Sequence, residues 1–393
     1  KQSHRFVRGL MRSPASLNYQ EVQNAIDGTP NEKTAPLLDT VLTPLFAAYH
    51  ALDNARKLRQ PLDLELPERK VELGEDGTVK SVQFRERLDA HKLIEEFMVL
   101  ANVAAAETLI AKKSPLLFRV HEEPTPEKLE SLRDTAQAAG FNLAKGQVLK
   151  TSHLNRLLND AAGTEEAELI NLSTLRSMAQ AYYSPANFGH FGLALQHYAH
   201  FTSPIRRYAD LIVHRALISA HKWGDDGLTP DDIERLDATA AHISDTERRS
   251  MMAERDTNDR YLASYLSERV GNEFTGRISG IARFGAFVKL DETGADGLVP
   301  IRSLGREFFH FDAKNGTLMG SDTGLTISIG QRATVRLTEA APVTGGIGLE
   351  LLTLDGKALP KGVSPAGRSP RRKISKAKRK SDKTKRKLTR SRR

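Results

Sequence analysis

The chain has 393 residues, enough for about two to four domains, with the 39% hydrophobic and 27% charged content of a globular protein. It contains no cysteine, which excludes disulfides, thiolate metal sites and cysteine nucleophiles and fits a cytoplasmic location. The net charge of +9 is unevenly placed: residues 357–393 hold 17 lysines and arginines against Asp382, leaving 41 basic and 48 acidic residues, a charge of −7, on the other 356.

The opening Lys1-Gln2-Ser3-His4 has neither an initiator Met nor the apolar core of a signal peptide, so a processed or truncated piece is expected. Residues 19–26 lead into the turn signal Asp27-Gly28. Residues 37–58 have helical spacing, with Leu38, Val41, Leu42, Leu45, Tyr49 and Leu52 on one face. Residues 61–67 alternate apolar and acidic side chains, as a half-buried strand does. A turn at 74–77 and a strand at 79–84 complete a predicted hairpin. Residues 86–112 predict a long helix with a stripe of Leu93, Phe97, Ala101, Ala105 and Leu109, stopped by Pro115. A strand at 117–121 follows, then helices over 124–139, 169–183, 210–221 and 230–270. From Gly271 to about Leu354 the chain is Gly-rich with short β-branched and aromatic runs, the pattern of a small β-barrel. The last stretch is basic, poor in apolar residues and expected to be disordered, with a polyanion as its partner. It has no apolar face for a membrane, and no run of 18 apolar residues predicts a membrane span.

Chemistry concentrates at 187–215, N-F-G-H-F-G-L-A-L-Q-H-Y-A-H-F-T-S-P-I-R-R-Y-A-D-L-I-V-H-R. Ser203-Pro204 is a helix-start signal, which places Arg206 and Arg207 in a first helical turn beside free backbone N–H groups, an anion site suited to phosphate. The gaps of 7, 3 and 14 residues separating His190, His197, His200 and His214 do not match metal-ligand spacing, so no metal ligand is expected among them. Asp225-Asp226 and Asp231-Asp232 are read as turn and capping residues.

The block from Gly189 to Arg215 resembles the catalytic domain of the ribonuclease II/ribonuclease R family. H-K-L-I-E-E-F-M-V-L-A-N at 91–102, L-F-R-V-H-E-E-P at 117–124 and L-R-S-M-A-Q-A-Y-Y-S-P at 175–185 are similar to other parts of that domain in the same order. Residues 271–352, with G-R-I-S-G-I-A-R-F-G-A-F-V-K-L, resemble the S-one class of RNA-binding OB-fold. The resemblance implies a processive exoribonuclease that hydrolyses single-stranded RNA from the 3′ end to nucleoside monophosphates with divalent metal. It assigns Arg206 to the scissile phosphate and Glu254 to the active site as catalytic residues. It places Glu95 and Glu96 near the terminal ribose, where a 2′-hydroxyl contact selects RNA over DNA. His200, Thr202, Ser203, Arg207 and Tyr208 are candidate RNA contacts, with Tyr198, Phe201 and Tyr208 open between base stacking and core packing. In the barrel, Phe284 and Phe287 are the expected base-stacking pair, and His310 is expected in a later loop.

One departure is large. The family's metal cluster, D-x-x-x-x-x-D-x-D-D, is absent from these 393 residues. The expected fold is therefore α+β: the C-terminal half of an RNB-type catalytic domain over 1–270, an all-β OB-fold barrel over 271–354 and a disordered basic tail over 355–393. Mg²⁺ is expected in the full-length family member, with its ligands outside this chain. A monomer is expected. The family resemblance also implies contacts with the ribosome or the RNA-degradation machinery, which no motif here specifies. The alternative is a non-catalytic RNA-binding fragment acting through the barrel and the tail.

Overall fold

The computed structural model describes residues 3–64, 68–145, 149–305, 307–312 and 316–359. It divides into two compact units, the first built on residues 1–270 with 291–295 and 339–347, the second on 271–290, 296–338 and the residues from 348. The expected disordered tail lies, from residue 360, outside the described residues.

In the first unit, α1 (Tyr19–Ile26) starts at a capping box: the Asn18 side chain accepts from the Glu21 amide at 2.9 Å and the Glu21 carboxylate accepts from the Asn18 amide at 3.0 Å. A π turn at Leu38–Leu42 then runs into α2 (Thr43–Arg59). The wider turn alters the predicted face. Leu42, Phe46 and Tyr49 are buried, while Val41 is 46% exposed. Residues 61–64 are not a strand. Leu62 donates its amide to the Gly192 carbonyl, and Leu62 and Leu64 pack against the helices that follow. Their alternation reports one-sided burial without a partner strand, and residues 65–67 lie outside the description. The hairpin strands are β1 (Arg69–Leu73) and β2 (Val79–Phe84), paired antiparallel.

The long helix α3 (Asp89–Ala111) is buried along Leu93, Val99, Ala105 and Leu109, and it also buries Glu96 and Asn102. β3 (Phe118–Val120) is followed by a small bundle of α4 (Pro126–Ala138), α5 (Thr151–Ala161) and α6 (Ala167–Ser177) around Leu132, Leu154, Leu157 and Ile170. The helix predicted to reach Tyr183 ends at Ser177, where Met178 turns extended. Tyr182–Ser184 forms β4, antiparallel to β3. Pairing with a strand 62 to 66 residues upstream overrides the local helical pattern. α7 (Tyr208–His221) packs on α3 through Val213, Ala216 and Leu217 against Ala105 and Leu109. α8 (Pro230–Glu234) is capped by Thr229 in a box with Asp232, and α9 (Leu236–Ser267) packs Leu236 and Ala240 on Leu117, Tyr183 and Ile212.

The second unit is a closed barrel of β5 (Glu273–Ala282), β6 (Gly285–Leu290), β7 (Asp296–Pro300), β11 (Arg332–Ala341) and β12 (Gly346–Leu354), ordered β11-β5-β6-β7-β12 and back to β11. The β7–β12 contact is parallel, with Gly348 opposite Leu298. Ala286, Val288 and Leu290 point inward with Val299, Val335, Leu337 and Leu349. A separate sheet of β8 (Phe309–Asp312), β9 (Thr317–Gly320) and β10 (Thr326–Ile327) is inserted ahead of β11, and β13 (Lys357–Ala358) pairs with β12. Two of the barrel's glycines sit at tight strand contacts. A Cβ on Gly276 would meet the Lys289 carbonyl oxygen at 2.3 Å, and one on Gly285, at φ +155°, the Val299 carbonyl oxygen at 2.2 Å.

Candidate functional site

The candidate site is the loop of residues 197–207, held by α3, β3, β4, α7 and α9. On the α3 side, the buried Asn102 amide donates to the Tyr198 hydroxyl at 3.0 Å and its carbonyl accepts from the Phe201 amide at 2.9 Å. The Phe201 carbonyl is bonded to His214 Nε2 of α7 at 2.9 Å, and the two rings stack 4.3 Å apart. Tyr198 and Phe201 are therefore packing residues. On the strand side, Arg119 of β3 donates its amide to the Tyr198 carbonyl. Its guanidinium lies 4.7 Å over the Tyr183 ring and binds both carboxylate oxygens of Glu247 of α9, at 2.5 and 3.0 Å.

The two arginines differ. The chain makes a turn at 203–206, in which the Ser203 carbonyl accepts from the Arg206 and Arg207 amides, and α7 begins only at Tyr208. Arg207 is extended at the N-cap (φ −123°, ψ 119°), so neither arginine is in a helical turn as expected. The fully buried Asp210 carboxylate explains this. It accepts from the Ser203 amide at 2.7 Å, from Arg207 Nη2 at 2.8 Å and from Arg207 Nε at 2.8 Å. Arg207 is thus committed to Asp210, with Thr202 Oγ1 at 3.5 Å from Nη2. Arg206 is exposed, and among the described residues its guanidinium has no hydrogen-bond or ion-pair partner. Tyr208 is 49% exposed beside it.

His200 shares a 2.9 Å hydrogen bond with the Tyr183 hydroxyl through Nδ1. Burial, with Arg207 and Arg119 adding repulsion, pushes its pKa down to about 2, so it is neutral. His190 behaves alike: burial and the neighbouring His121 push it to about 3, and its Nδ1 accepts from the Leu193 amide.

On α3, Glu95 is half exposed and paired with Arg87 at 2.5 Å. Glu96 is 5% exposed and faces α2, with Arg56 at 3.3 Å and Arg59 at 3.7 Å. Burial raises its pKa against the pull of both arginines. Glu254 stands on the exposed stretch of α9, two turns beyond Glu247 and near the same face.

In the barrel unit, Phe287 is on the outer face of β6 between inward Ala286 and Val288. Phe284 is 57% exposed, with its ring edge-on to Phe287 at 6.0 Å. His310 is exposed in strand β8, not in a loop as expected. It pairs across the sheet with Met319, and Phe308 lies edge-on at 4.7 Å.

The RNB domain family model matches residues 1–222, more than half of the chain, and the S1 RNA binding domain model matches residues 267–351. This chain belongs to the RNB family. It is 39% identical to ribonuclease R of Escherichia coli (strain K12) over 344 residues, 85% of this chain and 42% of that protein. It is 38% identical to ribonuclease R of Aquifex aeolicus over 328 residues, 83% of this chain and 46% of the relative. The Mycoplasma genitalium RNase R structure in complex with ribose-methylated single-stranded RNA superposes with a TM-score of 0.78 at 30% identity, over 85% of this chain and 52% of that one. The chain thus spans less than half the length of these curated relatives.

RNB-family membership implies a divalent metal, but among the described residues no three His, Asp or Glu side chains converge as a metal site requires. No helix among the described residues is long and apolar enough to cross a membrane. Sequence reasoning passed over Asn102, Arg119, Asp210 and Glu247, the four residues that hold the loop. One signal was local: Arg207 and Asp210 stand at i,i+3, the spacing of a helical ion pair. The other three act across chain separations from 79 to 128 residues and left no local pattern.

Proposed function

We propose that this chain contributes the phosphate-binding loop and an RNA-binding barrel to a 3′-to-5′ exoribonuclease that hydrolyses single-stranded RNA to nucleoside monophosphates. The observation that carries the reading is the contrast at 206–207 in an RNB-family loop: one arginine is neutralised by a buried carboxylate, and its neighbour is exposed with no partner among the described residues. An unpaired guanidinium on a fixed turn can grip two oxygens of a phosphodiester and stabilise the charge that builds as it is attacked. Neutral His200 stays beside it without competing for the anion. Thr202, Ser203 and Tyr208 line the same turn as further RNA contacts. Glu254 and Glu95 remain candidates for the terminal nucleotide, with Glu96 able to reach a ribose only after parting from Arg56 and Arg59.

The barrel carries Phe284 and Phe287 for base stacking, with His310 on the inserted sheet. Residues 1–270, 271–354 and 355–393 serve as catalytic part, barrel and polyanion-binding tail. Mg²⁺, held by ligands outside the described residues, would supply the activated water. Full-length protein incubated with 5′-labelled single-stranded RNA tests the reading. A ladder shortening from the 3′ end with Mg²⁺ and not with EDTA is the expected result. RNA that is bound but intact in both tubes overturns it.

A further inference from the structure

We infer that Asp210 is a positioning residue for Arg206, setting where the phosphate-binding guanidinium stands through contacts that never touch the RNA; the inference rests on the exoribonuclease reading above. Asp210 is fully buried in the first turn of α7. A carboxylate buried alone is strongly unfavourable, so the site persists only because its charge and acceptors are met. They are met from both ends of one turn. Ser203, where the turn begins, gives its backbone amide to Oδ1 at 2.7 Å. Arg207, where it ends, closes a two-nitrogen fork on Oδ1 and Oδ2, both at 2.8 Å. The Ser203 carbonyl then accepts from the Arg206 and Arg207 amides at 3.3 and 3.0 Å. Residues 203–207 are thus cross-linked on themselves through a single carboxylate.

Arg206 is the residue spanned by this closure. Its own side chain has no partner among the described residues to hold it, so the backbone alone decides its origin. Loss of the clamp frees the turn, and a displacement of about 1 Å at a phosphate-binding group costs on the order of 100-fold in rate. The function of the adjacent-arginine pattern is therefore divided: Arg207 with Asp210 builds the mount, and Arg206 is what the mount carries.

The test is a double-mutant cycle on the full-length protein, read as kcat and KM on single-stranded RNA with Mg²⁺. Arg206→Ala should lower kcat on the order of 10²- to 10³-fold. Asp210→Asn, which keeps an acceptor for the Ser203 amide but loses the charge under Arg207, should lower kcat by about 10- to 100-fold with KM within about threefold. On the Arg206→Ala background, Asp210→Asn should change kcat by less than about twofold, because it acts only through Arg206. Equal losses on both backgrounds would mean that Asp210 merely supports the fold, and would overturn the inference while leaving the exoribonuclease reading intact. A wild-type protein that cuts no RNA overturns that reading and this inference with it. Should Asp210→Asn fail to fold, Arg207→Lys runs the same cycle: it keeps a cation beside Asp210 but loses the fork.

Discussion

Arg119 on β3 and Glu247 on α9, 128 positions apart in the chain, form a two-point ion pair in which each guanidinium nitrogen meets its own carboxylate oxygen. The pair is largely sheltered, with side-chain exposures of 14% and 32%, and the Tyr183 ring covers the guanidinium. It joins the long exposed helix to the strand beneath the 197–207 loop.

Breaking this pair should cost stability unequally. Glu247→Gln leaves a sheltered cation with one weak acceptor and should destabilise by about 2–3 kcal/mol. Arg119→Met leaves the more exposed carboxylate and fills the space with apolar volume, so it should cost about half as much. Urea unfolding of the two single variants and the double variant measures the coupling. A coupling energy near zero would mean that the pair contributes nothing to holding α9.

Acid should weaken the first unit well before its carboxylates titrate. His190 and His200 are neutral in the folded state, with pKa values of about 3 and about 2, and titrate near 6.5 once unfolded. Below pH 6.5 the unfolded chain therefore binds more protons, and stability falls as pH falls from about 6.5 toward those folded values. The slope is about 1.4 kcal/mol per pH unit for each histidine. His121, also lowered by burial, and the charges of Arg119 and Arg207 oppose protonation from the surrounding elements. Urea midpoints at pH 7, 6 and 5 should fall steeply. His190→Asn, which keeps an acceptor for the Leu193 amide, should flatten the slope measurably.

Gly285→Ala should disrupt the barrel. The new methyl group would stand 2.2 Å from the Val299 carbonyl oxygen on the neighbouring strand, at a backbone angle that side chains rarely adopt. A loss of about 3 kcal/mol or more is expected, against about 1–2 kcal/mol for Gly324→Ala, which has nothing within 4 Å and is opposed only by its positive φ. Heat denaturation followed through the barrel's β-sheet signal separates the two.

Phe284→Ala should leave stability unchanged and weaken RNA binding by about 1–3 kcal/mol, since the ring is more than half exposed and poised for stacking. Phe309→Ala, 3% exposed on the inserted sheet, should do the reverse and cost about 3–4 kcal/mol of stability. Fluorescence anisotropy with a labelled oligoribonucleotide, beside a melting curve for each variant, distinguishes these outcomes.

Much of the architecture was legible from local pattern. The stripe on α3, the turn at Gly28, the β2 strand and the inward-outward alternation of β6 each follow from residues within a few positions of one another. The 187–215 signature pointed to the loop and to Arg206. What failed was local reading applied where distant partners decide. Tyr182 and Tyr183 continue a helical pattern yet pair with β3, and Leu62 and Leu64 alternate like a strand yet pair with no strand among the described residues.

The sequence by itself determined the family, the order of elements, and the residue types available to bind a phosphate, because those depend on composition and short-range spacing. Only the tertiary structure decided which of two adjacent arginines is free, which of two adjacent glutamates is buried, and which acid of α9 serves the loop. Arg206 and Arg207 are chemically identical, as are Glu95 and Glu96. They are told apart by Asp210 folded beneath one arginine and by Arg56 and Arg59 laid over one glutamate. Glu247 is set apart from Glu254 by Arg119, delivered from a strand 128 residues away. Charge is written in the chain, but whether a charge is spent on the fold or left for a ligand depends on what the fold brings within about 4 Å of it.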